Sequence, residues 1–123
     1  MESICRLLIV DDDPSILGLL EVFLTNNHYD VVCVTNSLDG LKQIESSKKS
    51  FDLIITDLVM PDISGVGLIS ILKKEHPEIP IIAITGKGAE PEKLSLEASV
   101  DAILQKPFGL DTLQRMITSL VSK

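Results

Sequence analysis

Five short apolar runs punctuate the chain: Leu7-Leu8-Ile9-Val10, Val31-Val32-Cys33-Val34, Leu53-Ile54-Ile55-Thr56, Ile81-Ile82-Ala83-Ile84 and the weaker Ala102-Ile103-Leu104. They are continuously apolar instead of alternating, which predicts strands covered on both faces in a parallel sheet. Apolar positions at helical spacing fill the intervals. Ile16, Leu19, Leu20 and Phe23 mark one stripe; Leu38, Leu41 and Ile44 a shorter one; Leu68, Ile69 and Leu72 a third. A weaker stretch lies around Leu94 to Ala98, and Leu110, Leu113, Ile117, Leu120 and Val121 mark the last stripe. The pattern is (βα)5.

Boundary residues agree with it. Pro14 fits the first helical turn after the Asp11-Asp12-Asp13 run, and Ser37 and Asp111 suit helix starts. Glu78-Ile79-Pro80 and Asp62-Ile63-Ser64-Gly65 read as connections. Nothing resembles an interdomain linker, a repeat or a low-complexity tract, so residues 1–123 are expected to form one domain. Short connections between alternating strands and helices imply an α/β fold with one open, doubly wound sheet, because right-handed crossovers place helices on both faces. Ligands of such sheets gather at the carboxyl ends of the strands.

Composition narrows the function. With 45% hydrophobic and 24% charged residues the chain is typical of a soluble globular protein. Its 18 acidic and 11 basic residues give a net charge of −7, which argues against direct nucleic-acid binding, since phosphate affinity needs clustered Lys and Arg. Three Phe, one Tyr and no Trp leave little for base stacking. No apolar run approaches a membrane span and the start lacks a signal-peptide pattern, so a cytoplasmic location is expected. Cys5 and Cys33 have no metal or redox spacing and read as buried, reduced thiols. His28 and His76 likewise lack partners at catalytic spacing.

The strand ends are chemically uneven. Strand one runs into Asp11-Asp12-Asp13, strand three ends in Asp57, strand four in Thr85 and strand five in Lys106-Pro107, whereas strand two ends in uncharged Thr35-Asn36. Each alone has an ordinary reading, such as a helix N-terminal acid or a turn residue. Together, if their strands neighbour one another, they bring three carboxylates, a hydroxyl and an ammonium into one crevice. Two unit charges at ~4 Å repel by about 4 kcal/mol at an effective dielectric near 20, so converging carboxylates need a cation or a proton. Hard oxygen ligands suit Mg²⁺, and a metal-neutralised carboxylate beside Lys and Thr can take up a phosphoryl group as an aspartyl phosphate.

Over nearly its whole length the chain resembles the receiver domain of bacterial two-component response regulators. The resemblance rests, in order, on Leu7-Leu8-Ile9-Val10-Asp11-Asp12-Asp13-Pro14, Asp57-Leu58-Val59-Met60-Pro61-Asp62-Ile63-Ser64-Gly65, Ile84-Thr85-Gly86 and Lys106-Pro107-Phe108. It implies a flavodoxin-like three-layer sandwich with strand order 2-1-3-4-5. It further implies that Asp57 is the phosphoacceptor, loaded from a histidine kinase or histidine phosphotransfer protein. Asp12 and Asp57 would bind Mg²⁺ directly, Asp11 through water, and the Val59 backbone carbonyl would complete the set. Thr85 and Lys106 would each contact a phosphoryl oxygen, and the surface of the fourth helix, fifth strand and fifth helix would report the change. That surface would meet a downstream effector or partner protein, a homodimer of the phosphorylated chain being one form of output. A cis Lys106–Pro107 peptide is also implied. Asp13 has no family role and reads as charge for the helix that follows.

Several positions depart from the pattern. Ile103 stands where the family commonly has Phe or Tyr, which removes a rotating ring from the expected switch. Ser99-Val100 replaces a frequent Gly-Ala, and Val59 and Lys87 occupy variable positions beside the pocket. Val59 has no polar side chain to orient water, so slow loss of the phosphoryl group is expected. Two competing readings are a Mg²⁺-dependent phosphohydrolase using Asp57 as a transient nucleophile, and a pseudo-receiver that works by protein binding alone. The first lacks an acid two residues after Asp57; the second does not explain an intact Asp11, Asp12, Asp57, Thr85 and Lys106 set. The chain is expected to be a switch and not a turnover enzyme.

Overall fold

A computed structural model describes residues 5–46, 48–58, 65–86 and 100–121. Five parallel strands, β1 (Arg6–Val10), β2 (Asp30–Val34), β3 (Leu53–Asp57), β4 (Ile81–Thr85) and β5 (Ala102–Gln105), form one sheet in the order β2-β1-β3-β4-β5. Four helices are described: α1 (Pro14–Asn26), α2 (Ser37–Ser46), α3 (Gly65–Glu75) and the C-terminal α4 (Leu110–Val121). The helix expected around Leu94 to Ala98 lies outside the described residues. Among those residues, no helix is long and apolar enough to cross a membrane.

Each strand feeds two cores, one per face, because successive side chains alternate. Leu7, Ile9, Leu53, Ile55, Ile82 and Ile84 pack with Leu17, Leu20 and Leu24 of α1 and Leu113 and Ile117 of α4. On the other face Leu8, Val10, Ile54, Ile81 and Ala83 pack with Leu68, Ile69 and Leu72 of α3, with Leu41 and Ile44 of α2 at the edge. The central strands β3 and β4 are buried at every position, as their unbroken apolar runs require. Strand β2 is only half-buried, since it lies at the sheet edge with β1 as its neighbour.

Two helical stripes differ from the expectation. In α1 the buried residues are Leu17, Leu20 and Leu24, while Leu19 is 56% exposed. The segment Ile16 to Leu24 is apolar nearly all round, so two overlapping stripes satisfy a 3.6-residue period and only the sheet decides between them. In α2, Leu38 is exposed and the close contact is made by Gly40, where a Cβ would come within 3.1 Å of Val10 Cγ2. The glycine lets α2 lie near the end of β1.

Local capping follows the sequence. Asp13 is the N-cap of α1, its carboxylate accepting from Ser15 N at 2.9 Å, with Pro14 in the first turn; such a cap contributes about 1 kcal/mol. Asn36 caps α2 by accepting from Asp39 N at 2.8 Å. The end of α1 closes with His28 N–H donating to Thr25 O and Tyr29 N–H to Leu24 O, which sets His28 at a φ of 72°. His28 thus has a conformational task where glycine is the usual occupant.

The amino ends of the strands neutralise their own charges. Arg6 N–H donates to Asp52 at 2.7 Å, its guanidinium donates to Lys49 O at 2.7 Å, and it lies 4.5 Å from the centre of the Phe51 ring. Asp101 accepts from Ile81 N at 2.8 Å and from Lys73 Nζ at 2.9 Å. At the carboxyl ends three acids, Asp11, Asp12 and Asp57, gather together, with Lys106 beside Asp11 and Asp57.

Cys5 and Cys33 are free and half-buried, less enclosed than expected. Burial pushes both thiols from 9.0 up to about 11, with Asp52 adding to the effect at Cys5 and Glu21 at Cys33. Because the thiolate is the nucleophile, iodoacetamide at pH 8 is expected to label the folded chain roughly 100-fold more slowly than the urea-unfolded chain. Equal rates in timed mass spectra would contradict this.

Candidate functional site

Three backbone hydrogen bonds carry the sheet pattern beyond the strands and fix the pocket. Asp11 N–H donates to Val34 O at 3.2 Å, Leu58 N–H to Ile84 O at 3.0 Å, and Lys106 N–H to Thr85 O at 2.8 Å. In register, Val10 pairs with Thr56, Asp57 with Ile84, and Thr85 with Gln105. The order β1-β3-β4-β5 therefore sets Asp11, Asp57, Thr85 and Lys106 along one edge of the sheet. The Lys106–Pro107 peptide is cis.

Asp11, Asp57 and Thr85 are buried, whereas Asp12 is exposed. Carboxylate oxygens of Asp11, Asp12 and Asp57 all lie within 4.8 Å of one another. Lys106 Nζ donates to Asp57 Oδ2 at 3.2 Å and lies 3.4 Å from Asp11 Oδ2. The latter contact is an ion pair without hydrogen-bond geometry, for Asp11 Oδ2 has no hydrogen-bond partner among the described residues. Asp11 Oδ1 accepts from Asp13 N at 2.9 Å. Thr85 Oγ1 is buried and also without a hydrogen-bond partner among the described residues.

Buried acceptors and hydroxyls almost always find hydrogen-bond partners, so two buried oxygens lacking one among the described residues, in or beside one carboxylate cluster, suit a site completed by a cation and an oxyanion. Oxygen-only donors with water access fit Mg²⁺. Asp11, Asp12 and Asp57 could hold such an ion; Val59, whose carbonyl is the fourth expected ligand, lies outside the described residues. So do Lys87 and Ser99.

The charges are visibly in tension. Burial pushes the Asp11 carboxyl above 3.8, the Asp13 N–H pulls it back, the Asp57 charge raises it further, and Lys106 opposes both upward effects. For Lys106 burial favours the neutral amine, but Asp11 and Asp57 outweigh it and raise its pKa above 10.5. Folded Asp11 holds its proton more tightly than the unfolded chain does, so its own contribution to stability falls as pH rises from 3.8 through the raised value. Asp11→Asn keeps the acceptor but not the charge. In EDTA it is expected to be more stable than the parent chain at neutral pH, with the advantage shrinking as pH falls toward 3.8. Guanidinium chloride titrations across that pH range measure the gap; a gap that widens with falling pH would contradict the assignment.

Sequence reasoning did not find two neighbouring features. Thr56, itself buried, donates its hydroxyl to the Asp57 carbonyl at 3.0 Å. An apolar cavity of about 380 Å³ opens beside Lys106, lined in part by Ile16, Leu19, Gly86, Pro107, Phe108 and Leu110.

Comparison with known proteins agrees with this geometry. A family model described as the response regulator receiver domain matches residues 7–118. The transcriptional regulatory protein GlrR of Escherichia coli is 36% identical over 113 residues, which is 91% of this chain and 25% of that protein. The chain spans 25% to 48% of the length of the first curated relatives it matches. Among solved structures, a response regulator receiver domain protein from Clostridium thermocellum superposes with a TM-score of 0.88 at 27% identity, covering 96% of this chain and 94% of that one. The response regulator TrrA of Thermotoga maritima, solved in complex with Mg²⁺-BeF, gives a TM-score of 0.84 at 30% identity, covering 95% and 99% of the two chains.

Proposed function

The chain belongs to the response regulator receiver domain family of two-component systems, and on that premise we propose that it is a cytoplasmic phosphoacceptor that takes a phosphoryl group onto Asp57. The observation that carries the reading is the buried Asp57 carboxylate, held by Lys106 at 3.2 Å inside a cluster of three acids. A carboxylate so placed, with its neighbours neutralised, can attack phosphorus.

The donor in this reading is a phosphohistidine on a histidine kinase or histidine phosphotransfer protein. An Asp57 oxygen forms a bond to phosphorus while the phosphorus–nitrogen bond breaks; the electron pair leaves with the imidazole, which takes up a proton. Bound Mg²⁺ would supply neutralisation of charge on the carboxylates and the phosphoryl oxygens. Asp11, Asp12 and Asp57 would hold it, Asp11 through water by family resemblance. Lys106 gives up one of its two carboxylates and pairs with a phosphoryl oxygen, and Thr85 donates its buried hydroxyl to another. The apolar cavity, lined by exposed Leu19 and by Lys106 itself, borders the same mouth, and gives a donor protein a surface to rest on.

Phosphorylation adds roughly −1.5 to −2 charge at the pocket. Thr85 and Lys106 end β4 and precede α4, so their movement reaches the surface made by the predicted fourth helix, β5 and α4. That surface would engage the downstream effector or partner, including a second phosphorylated copy. Ile103 is half-buried against the α3-side core, and contributes packing there instead of a swinging ring. The protein is a switch in this reading, not a turnover enzyme.

Phosphoramidate, a small phosphorus–nitrogen donor, tests the reading. Intact mass is expected to show one phosphoryl group gained with Mg²⁺ and none in EDTA. No gain with Mg²⁺ would overturn it in favour of a pseudo-receiver, and sustained release of phosphate over many turnovers would favour a phosphohydrolase.

A further inference from the structure

Thr56 is buried in the middle of the sheet, between Val10 of β1 and Ala83 of β4, both part of the apolar core on the α3 side. A hydroxyl there must find an acceptor or leave a desolvated donor. It reaches forward along its own strand to the carbonyl of Asp57, at 3.0 Å. The other end of that peptide group is also held, because Leu58 N–H donates to Ile84 O at 3.0 Å. The Asp57–Leu58 peptide plane is therefore pinned at both its oxygen and its hydrogen. This plane sets the backbone torsion on the carboxyl side of Asp57, and with it the direction of the chain leaving β3.

We propose that Thr56 is a positioning residue for phosphoryl acceptance, its hydroxyl fixing the Asp57–Leu58 peptide so that the Asp57 carboxylate points along the line of attack. The inference rests on the reading of Asp57 as the phosphoacceptor. Binding of a hydrated divalent cation tolerates small rotations of a carboxylate, since the attraction is largely non-directional and waters adjust. In-line attack on phosphorus does not tolerate them. Loss of the Thr56 hydroxyl should thus slow the chemical step more than it weakens Mg²⁺ binding.

Thr56→Val preserves the branched shape and removes only the hydroxyl; Thr56→Ser restores it. With acetyl phosphate as donor, an Asp57 oxygen bonds to phosphorus as the phosphorus–oxygen bond to the acetyl group breaks and acetate departs with the electron pair. The maximal rate constant at saturating Mg²⁺ and acetyl phosphate, read by timed intact mass, is expected to fall about tenfold in Thr56→Val. It should return to within about twofold of the parent in Thr56→Ser, with the Mg²⁺ dissociation constant of Thr56→Val changing less than about threefold. Thermal melts establish that both variants are folded. A parent-like rate in Thr56→Val, a Ser variant as slow as the Val variant, or a loss accounted for wholly by weaker Mg²⁺ binding overturns the positioning role and leaves the Asp57 reading standing. Absence of any adduct on the parent chain overturns both.

Discussion

Lys106→Met is expected to destabilise the metal-free protein by about 2 kcal/mol and to slow phosphoryl acceptance about 100-fold. The ammonium stands 3.2 Å from Asp57 Oδ2 and 3.4 Å from Asp11 Oδ2, and both carboxylates are almost wholly buried. Methionine fills the space of the stem but leaves those acids facing each other with no cation between them. Breaking a fully buried pair costs roughly 3–5 kcal/mol; the Lys106 side chain is 24% exposed, so water screens part of the loss and the smaller figure is expected. Bound Mg²⁺ would replace the missing charge. At 100 times its dissociation constant it should add about 2.7 kcal/mol, enough to bring the variant at least to the stability of the metal-free parent. Denaturant titrations with and without Mg²⁺ give both numbers; a variant as stable as the parent in EDTA would show that Lys106 does not hold the pocket together. The rate effect is separate, because in the proposed reaction Lys106 would also face oxygens on which negative charge is stabilised during transfer.

Asp57→Asn is expected to abolish the phosphoryl adduct from either small donor. The amide is nearly the same shape, so the fold has no reason to change, but its oxygen is a poor nucleophile and it carries no charge for a divalent cation. Two carboxylates, Asp11 and Asp12, remain in the cluster. Mg²⁺ affinity should fall as well, measured by calorimetric titration, while the metal-free variant should melt no lower than the parent because one of three mutually repelling acids is gone. An adduct that persists undiminished in Asp57→Asn would move the acceptor elsewhere.

Much of this was legible in the sequence for a physical reason. Central strands of a parallel sheet must be apolar on both faces, so Leu53 to Thr56 and Ile81 to Ile84 stand out as unbroken runs. Ligand chemistry collects where strands end, so Asp11, Asp57, Thr85 and Lys106 could be picked out by position alone. Their adjacency required the strand order, which came from family resemblance and is the order observed. Other features were hidden. Leu19 and Leu17 are equivalent to a helical period, and only contact with the sheet shows that Leu17 is inside. Asp13 reads as helix-start charge in the sequence and is the N-cap itself. Thr56 reads as one more β-branched core residue, and the bond to the Asp57 carbonyl depends on the local course of the backbone.

Reduction with borohydride tests the central claim most directly. The chain is first phosphorylated with acetyl phosphate and Mg²⁺, then reduced, which converts an aspartyl phosphate to homoserine and leaves free carboxylates untouched. Peptide mass spectrometry is predicted to find homoserine at position 57 and at none of Asp11, Asp12 or Asp13. Reduction at another aspartate, or a phosphorylated chain with no reducible acyl phosphate, would contradict the account.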